Sequence, residues 1–272
     1  MAAHLSSCYF HLPFLFRLKD HDMNHLSRLT ALATLMLAAL PLQAKDITVS
    51  AAASLKDAFQ EIADQYKHQH PDVDVKLNTA GSGALLQQLL QGAPVDVVAF
   101  ADQKTMDMAV EKNAVDTSTR RTFVRNDLVL IVPKNSLTSA SSLQDLKRPA
   151  INRIALSNPE SVPVGRYAKA ALEKAGLFTA LQPKIITTQN VRHSLDYVAR
   201  GEVDAGFVYR TDAVLMPQKV RITATIPLDT PVSYPIAVST DSSDKAEAQR
   251  FLNYVLSPKG RQVLNKYGFS RP

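Results

Sequence analysis

The sequence predicts an α/β protein of two similar lobes, each a mainly parallel sheet with helices on both faces, joined by hinge strands. Three observations predict it. Strand-like and helix-like segments alternate through two series of comparable scale. Several strand segments, residues 95–100 and 203–208 among them, are apolar almost throughout, as strands covered on both faces are. No Pro/Gly/Ser-rich stretch divides the two series, so the lobes should be joined by strands rather than by a loose tether.

The first series opens at Ile47-Thr-Val-Ser-Ala-Ala-Ala-Ser54-Leu55, a short apolar strand leading into a helix. Leu55, Ala58, Phe59, Ile62, Ala63 and Tyr66 recur at helical spacing on one face. Ser54 with Asp57 three residues on fits a capping box. A second strand is expected at 74–77, a turn-rich loop at 78–83, and a helix whose inner face carries Leu85, Leu86, Leu89 and Leu90. Gly92-Ala-Pro94 stops that helix. The strand at 95–100 and a helix through Met106, Met108, Ala109 and Val110 follow.

The second series starts with a strong strand at 128–132, ended by Pro133. A short capped helix at 141–145, a strand at 154–156 and a helix from Arg166 to about Ala175 come next. A strand at 184–187, a helix opened by Asn190 and ended at Gly201, and the strand at 203–208 closed by Tyr209 complete it. Strands at 220–224 and 232–238 and two C-terminal helices, 244–256 and 258–267, finish the chain. The lobes are thus expected to comprise residues 45–126 with 233–272, and residues 127–232.

The first 44 residues stand apart. A twelve-residue apolar run at 29–40, preceded by Arg28 and followed by Pro41-Leu-Gln-Ala44, has the layout of a secretory signal peptide. It is too short for an ordinary membrane span. Cleavage is expected after Ala44, and Met23 is a candidate true start, because Asp20 and Asp22 sit badly in a signal segment. Without residues 1–44 the net charge falls from +6 by one unit, to +5. Lys and Arg are scattered, with no aromatic-interleaved basic cluster, which argues against nucleic-acid binding. The single cysteine, Cys8, lies in the discarded segment, so the exported chain has no disulfide and no thiolate metal site. The lack of a cysteine at the signal end also argues against a lipid anchor.

Five positions share one description. Ser54 follows the first strand, Ser82 opens a helix within Gly81-Ser-Gly83, Val164 lies in Pro163-Val-Gly165 at another helix start, Val191 follows Asn190, and Tyr209 closes a buried strand. All fall at carboxyl ends of strands or at the helix starts beyond them, where open α/β sheets bind ligands. Helix starts present unpaired N–H groups and partial positive charge, which suits an anion. Such a site needs neither metal nor cofactor. Each feature taken singly has an ordinary reading: Ser54 and Ser82 as caps, Tyr209 as a core tyrosine. Arg192 reads better as a salt-bridge partner than as an anion ligand. His68 and His70 read as a solvated helix end, with no third metal ligand in view.

The matching segments Ala51-Ala-Ala-Ser-Leu55, Gly92-Ala-Pro-Val-Asp96, Ala101-Asp-Gln-Lys104, Asn126-Asp-Leu-Val129, Pro159-Glu-Ser-Val-Pro163 with Gly165 and Tyr167, Asn190-Val-Arg192, Phe207-Val-Tyr209 and Tyr267-Gly-Phe269 span the chain in order. Through them it resembles the periplasmic molybdate-binding proteins of bacterial ABC importers, within the two-lobed type II periplasmic binding proteins. The resemblance implies an oxyanion held by hydroxyls of Ser54, Ser82 and Tyr209 and by main-chain N–H groups of Ser54, Ser82, Val164 and Val191. It implies capture of molybdate, with tungstate as a second ligand, by a monomer in the periplasm. Delivery would be to a membrane permease with its ATPase. Two departures are visible: glycines flank Ser82 where relatives can carry a serine-rich loop, and Val164 replaces a smaller alanine.

Two other classes remain in view. One is a binding protein of the same fold for sulfate, phosphate or a small organic anion. The other is a serine hydrolase built on Ser54, Ser82 and His193. It lacks a G-x-S-x-G elbow, since the serine lies in Ala80-Gly81-Ser82-Gly83-Ala84.

Overall fold

The structure, a computed structural model, describes residues 45–137 and 140–272. The expected signal segment lies outside the described residues. Two five-stranded sheets form the frame. The first has the order β2-β1-β3-β10-β4, from β1 (Lys45–Ala52), β2 (Val73–Ala80), β3 (Val97–Ala99), β4 (Arg121–Asn126) and β10 (Val232–Val238). The second has the order β7-β6-β8-β5-β9, from β5 (Leu128–Pro133), β6 (Ile154–Ser157), β7 (Ile185–Thr188), β8 (Ala205–Tyr209) and β9 (Val220–Thr225).

The two sheets share one design. β1 pairs in parallel with β2 and β3, and β6 pairs in parallel with β7 and β8. β10 then runs antiparallel to β3 and β4, as β5 does to β8 and β9. One strand in each sheet is therefore reversed, and the other four point the same way. The reversed strands follow from the connections. The chain leaves the first sheet at Asn126 and enters the second at Leu128, then returns through residues 226–231 into β10.

Alternation along β3 shows why its sequence is apolar throughout. Val97 and Ala99 face the large core shared with α1 (Lys56–Gln69). Val98 belongs to a separate cluster with Leu85, Leu86 and Leu89 of α2 (Ser82–Leu90) and Met106 and Ala109 of α3 (Gln103–Glu111). A strand with both faces covered has no polar side to spare. The second sheet carries α4 (Pro163–Lys174), α5 (Phe178–Leu181), α6 (Val191–Ala199) and α7 (Arg210–Ala213). The C-terminal helices α8 (Lys245–Leu256) and α9 (Pro258–Lys266) pack beside the first sheet and α1.

Five expectations are corrected. Leu90, expected on the inner face of α2, is its last residue and is 39% exposed. Ser54 forms no capping box with Asp57: it sits in a 3-10 turn at Ala53–Leu55, α1 begins behind Leu55 without a side-chain cap, and the Ser54 hydroxyl turns inward. The loop expected at 78–83 is strand as far as Ala80, because β2 pairs residue for residue with β1 up to Ala52. α4 starts at Pro163 rather than Arg166, since proline is well tolerated in a first turn. β4 was not expected; with Arg121, Thr122 and Arg125 exposed, its alternation is too polar to read as a strand until Tyr234 and its neighbours pair with it.

Candidate functional site

Six chain segments reach the same place. β1, β2 and β3 of the first sheet end at Ala52, Ala80 and Ala99, and β6, β7 and β8 of the second end at Ser157, Thr188 and Tyr209. Just beyond these ends, Ala52, Ala53, Ser54, Gly81, Ser82 and Ala101 face Pro163, Val164, Asn190, Val191 and Tyr209 around a cavity with an empty volume of about 200 Å³. A narrow space lined by neutral donors suits a small polyatomic ion rather than a drug-sized ligand. The structure brings all five sequence-predicted residues, Ser54, Ser82, Val164, Val191 and Tyr209, to its wall.

The donors are neutral and arise from local geometry. Ser82, Val164 and Val191 lie in the first turns of α2, α4 and α6, where N–H groups have no intrahelical acceptor. In α6 the Asn190 side chain accepts from the N–H groups of Arg192 and His193 and leaves that of Val191 to the cavity. Gly81 and Val162 give α2 and α4 no side-chain cap. Three helix starts and the turn at Ser54 thus converge, and no residue lining the cavity is charged.

The hydroxyls are held differently. Ser82 Oγ accepts from the N–H of Ala101 at 3.0 Å, which leaves its own proton for a ligand. Ser54 Oγ shares a 3.0 Å hydrogen bond with Tyr234 Oη, and Asn126 Nδ2 donates to the same phenol at 3.2 Å. Tyr209 is 1% exposed and its hydroxyl has no hydrogen-bond partner among the described residues. Leaving such a group unpaired costs roughly 1–3 kcal/mol, which an acceptor in the cavity would offset. Burial pushes both Tyr209 and Tyr234 well above the usual phenol range, so both stay protonated donors. The rings meet edge to face, centroids 5.8 Å apart.

Sequence reasoning missed the supporting residues. Tyr234 comes from the distant strand β10, and no local signal ties it to Ser54. Below Val164 and Val191, the hydroxyls of Ser157, Thr188 and Ser194 form a buried ring of contacts at 2.7–3.1 Å that fixes both helix starts. Arg192, expected as a salt-bridge partner, reaches Asp57 Oδ2 at 2.7 Å and Asp212 Oδ1 at 2.5 Å. Both contacts are ionic and lie off the favoured hydrogen-bond angles. Asp212 is fully buried, which lifts its carboxyl to about 6 even though Arg192 pulls the other way. His193 does not line the cavity.

A larger opening, with an empty volume of about 970 Å³, lies beside Arg166 and Lys174. Arg166 pairs there with Asp102 and Lys174 with Asp229, and none of its lining atoms is a buried orphan. Size alone does not make it the site.

Comparison with known proteins shows the family and the fold. The model of the bacterial extracellular solute-binding protein family matches residues 47–270. The chain is 40% identical over 230 residues to the molybdate-binding protein ModA of Escherichia coli, covering 82% of this chain and 88% of that one. It is 38% identical to a putative ABC transporter substrate-binding lipoprotein, YvgL, of Bacillus subtilis, covering 82% and 86%. In structure it is similar to the periplasmic molybdate-binding protein of Azotobacter vinelandii, with a TM-score of 0.75, 24% identity, and 83% and 99% of the two chains covered. The sulfate-binding protein SubI of Mycobacterium tuberculosis shares the fold at a TM-score of 0.73 and 18% identity, covering 84% and 87%.

Proposed function

The chain belongs to the bacterial extracellular solute-binding proteins, and from that membership we propose that it captures molybdate and delivers it to an ABC importer. The observation that carries this reading is the cavity itself: unpaired N–H groups at three helix starts and an unpartnered Tyr209 hydroxyl around a space of small-anion size. A tetrahedral dianion leaves water only where many inward donors replace its hydration. Neutral dipoles do so without a fixed counter-charge. Relatives named for molybdate binding at 35–40% identity supply the ion.

In this reading Ser54 and Ser82 give hydroxyl and main-chain donors, Val164 and Val191 give main-chain donors, and Tyr209 gives its phenol. Val164 serves through its backbone, so its larger side chain leaves the role intact. Tungstate, close to molybdate in size and charge, is the second ligand. Sulfate, with shorter bonds to oxygen, leaves some donors unpaired. Residues 45–126 with 233–272 and residues 127–232 act as two lobes that close on the ion about the crossings at Asn126–Leu128 and 226–231. The protein works as a periplasmic monomer, performs no chemistry on its cargo, and hands it to a permease driven by an ATPase.

The test is thermal unfolding of residues 45–272 with molybdate, tungstate, sulfate and phosphate in turn. A ligand at about 100 times its Kd adds roughly 2.7 kcal/mol, which raises Tm by about 5–11 °C for a chain of this size. A rise with molybdate and tungstate alone is expected. A rise with sulfate or phosphate instead keeps the fold and overturns the ligand.

A further inference from the structure

Two of the helices that open onto the cavity also carry an arginine that crosses to the other sheet. On α4, Arg166 lies two residues after Val164. Its Nε donates to Asp102 Oδ2 at 2.8 Å, and its Nη2 lies 2.6 Å from the same oxygen and donates to Thr105 Oγ1 at 2.8 Å. On α6, Arg192 directly follows Val191 and meets Asp57 at the start of α1, one turn beyond Ser54. Asp102 and Asp57 both belong to segments that follow strands of the first sheet, and both arginines to the second. Neither arginine lines the cavity. The backbones touch as well: the Gly83 N–H donates to the Ser161 carbonyl at 2.9 Å, again across the sheets.

We infer that Arg166 and Arg192 are positioning residues for the bound anion: they clasp the closed arrangement through Asp102 and Asp57 and so set how long the anion stays. The inference rests on the oxyanion reading above. Each helix does two jobs within one turn, giving a main-chain N–H to the ion and a guanidinium to the opposite half. The ion needs no positive side chain, so both guanidinium groups are free to bind acids instead. Because the contacts span the two halves, opening breaks them, whereas the fold of each half does not depend on them. Arg192 keeps its fully buried partner Asp212 within the second half throughout. Arg166 has no comparable partner of its own, and its side chain is 18% exposed against 7% for Asp102. The Arg166 clasp therefore carries more of the effect than the Arg192 clasp, whose Asp57 is 40% exposed.

The variants Asp102→Asn, Asp57→Asn and the double variant test this in the purified protein. Asparagine at 102 can still accept from the Thr105 N–H, so α3 keeps its cap. Molybdate affinity is measured by calorimetry and dissociation by stopped flow, with sulfate competition and the Tm of the ligand-free protein alongside. We expect dissociation to speed up about tenfold for Asp102→Asn and about two- to fivefold for Asp57→Asn, with association changed less. The ratio of molybdate to sulfate affinity and the ligand-free Tm should stay at their unaltered values. Unchanged dissociation in the double variant overturns the clasp. A fall in ligand-free Tm matching the loss of affinity overturns it too, because the pairs would then be ordinary structural bridges. Failure of the unaltered protein to bind molybdate overturns the oxyanion reading and this inference with it.

Discussion

The Tyr209 hydroxyl and the Ser82 hydroxyl make opposite predictions, because one is idle without ligand and the other is not. Tyr209 Oη has no partner among the described residues, so Tyr209→Phe should leave the ligand-free Tm unchanged or slightly raised while molybdate affinity falls. Ser82 Oγ holds the Ala101 N–H, so Ser82→Ala should lower both affinity and ligand-free stability, each by about 1–3 kcal/mol. Calorimetry and thermal unfolding of the two variants check the contrast; a Tyr209→Phe protein that binds as before would remove Tyr209 from the site. Asp212 makes a pH prediction. Its carboxyl titrates near 6 when folded and near 3.8 when free, so between about pH 4 and 6 the native state binds more protons than the unfolded state, and this group's contribution to stability falls as pH rises. Asp212→Asn removes that slope. The Tm difference, variant minus unaltered protein, should grow between pH 4 and 6 and level off above it; parallel Tm profiles would contradict it.

At the scale of elements, two glycines allow two different approaches. A Cβ on Gly165 would stand 2.0 Å from the Ser157 carbonyl, where α4 packs on the end of β6 of its own sheet. Gly165→Ala should therefore destabilise the ligand-free protein, by roughly 1–3 kcal/mol or more. A Cβ on Gly83 would stand 2.4 Å from the Ser161 carbonyl, which belongs to the other sheet. The two halves can part to relieve that clash, so Gly83→Ala should spare the ligand-free Tm and weaken anion binding. Equal losses of ligand-free Tm in the two variants would show that the Gly83 contact is part of the fold rather than of closure. The elements themselves were largely legible. Apolar periodicity marks α1, α8 and the buried strands, and Asn190 marks the start of α6, where its side chain caps two N–H groups. β4 was not legible, since half its side chains face solvent and its pairing with β10 joins residues more than a hundred positions apart.

At the scale of the molecule, the described chain crosses between the sheets at 126–128 and at 226–231, and the first crossing touches residues beside the site. Asn126, at the end of β4, donates to Thr211 Oγ1 at 2.8 Å and to Tyr234, so this crossing and the phenol that holds Ser54 are in direct contact. Asp127 meets Arg210 immediately after Tyr209. Closure on an anion should therefore be a rigid-body movement of two halves about these crossings. Small-angle scattering of the ligand-free and molybdate-saturated protein should show a smaller radius of gyration in the saturated form; identical curves would contradict closure.

The sequence by itself determined the alternation of strands and helices, the apolar faces, and the positions where strand ends meet helix starts. Those follow from local spacing and from the unpaired N–H groups that every helix start carries. It could therefore nominate Ser54, Ser82, Val164, Val191 and Tyr209. Only the tertiary structure decided that these five surround one cavity, that Ser54 turns to Tyr234 instead of capping its helix, and that Arg192 and Arg166 bind acids rather than face the cavity. Ser54 has a choice of partners, and proximity across some 180 residues settles it. Hydrogen bonds and ion pairs act over a few ångströms in space, while sequence spacing reports neighbours only along the chain.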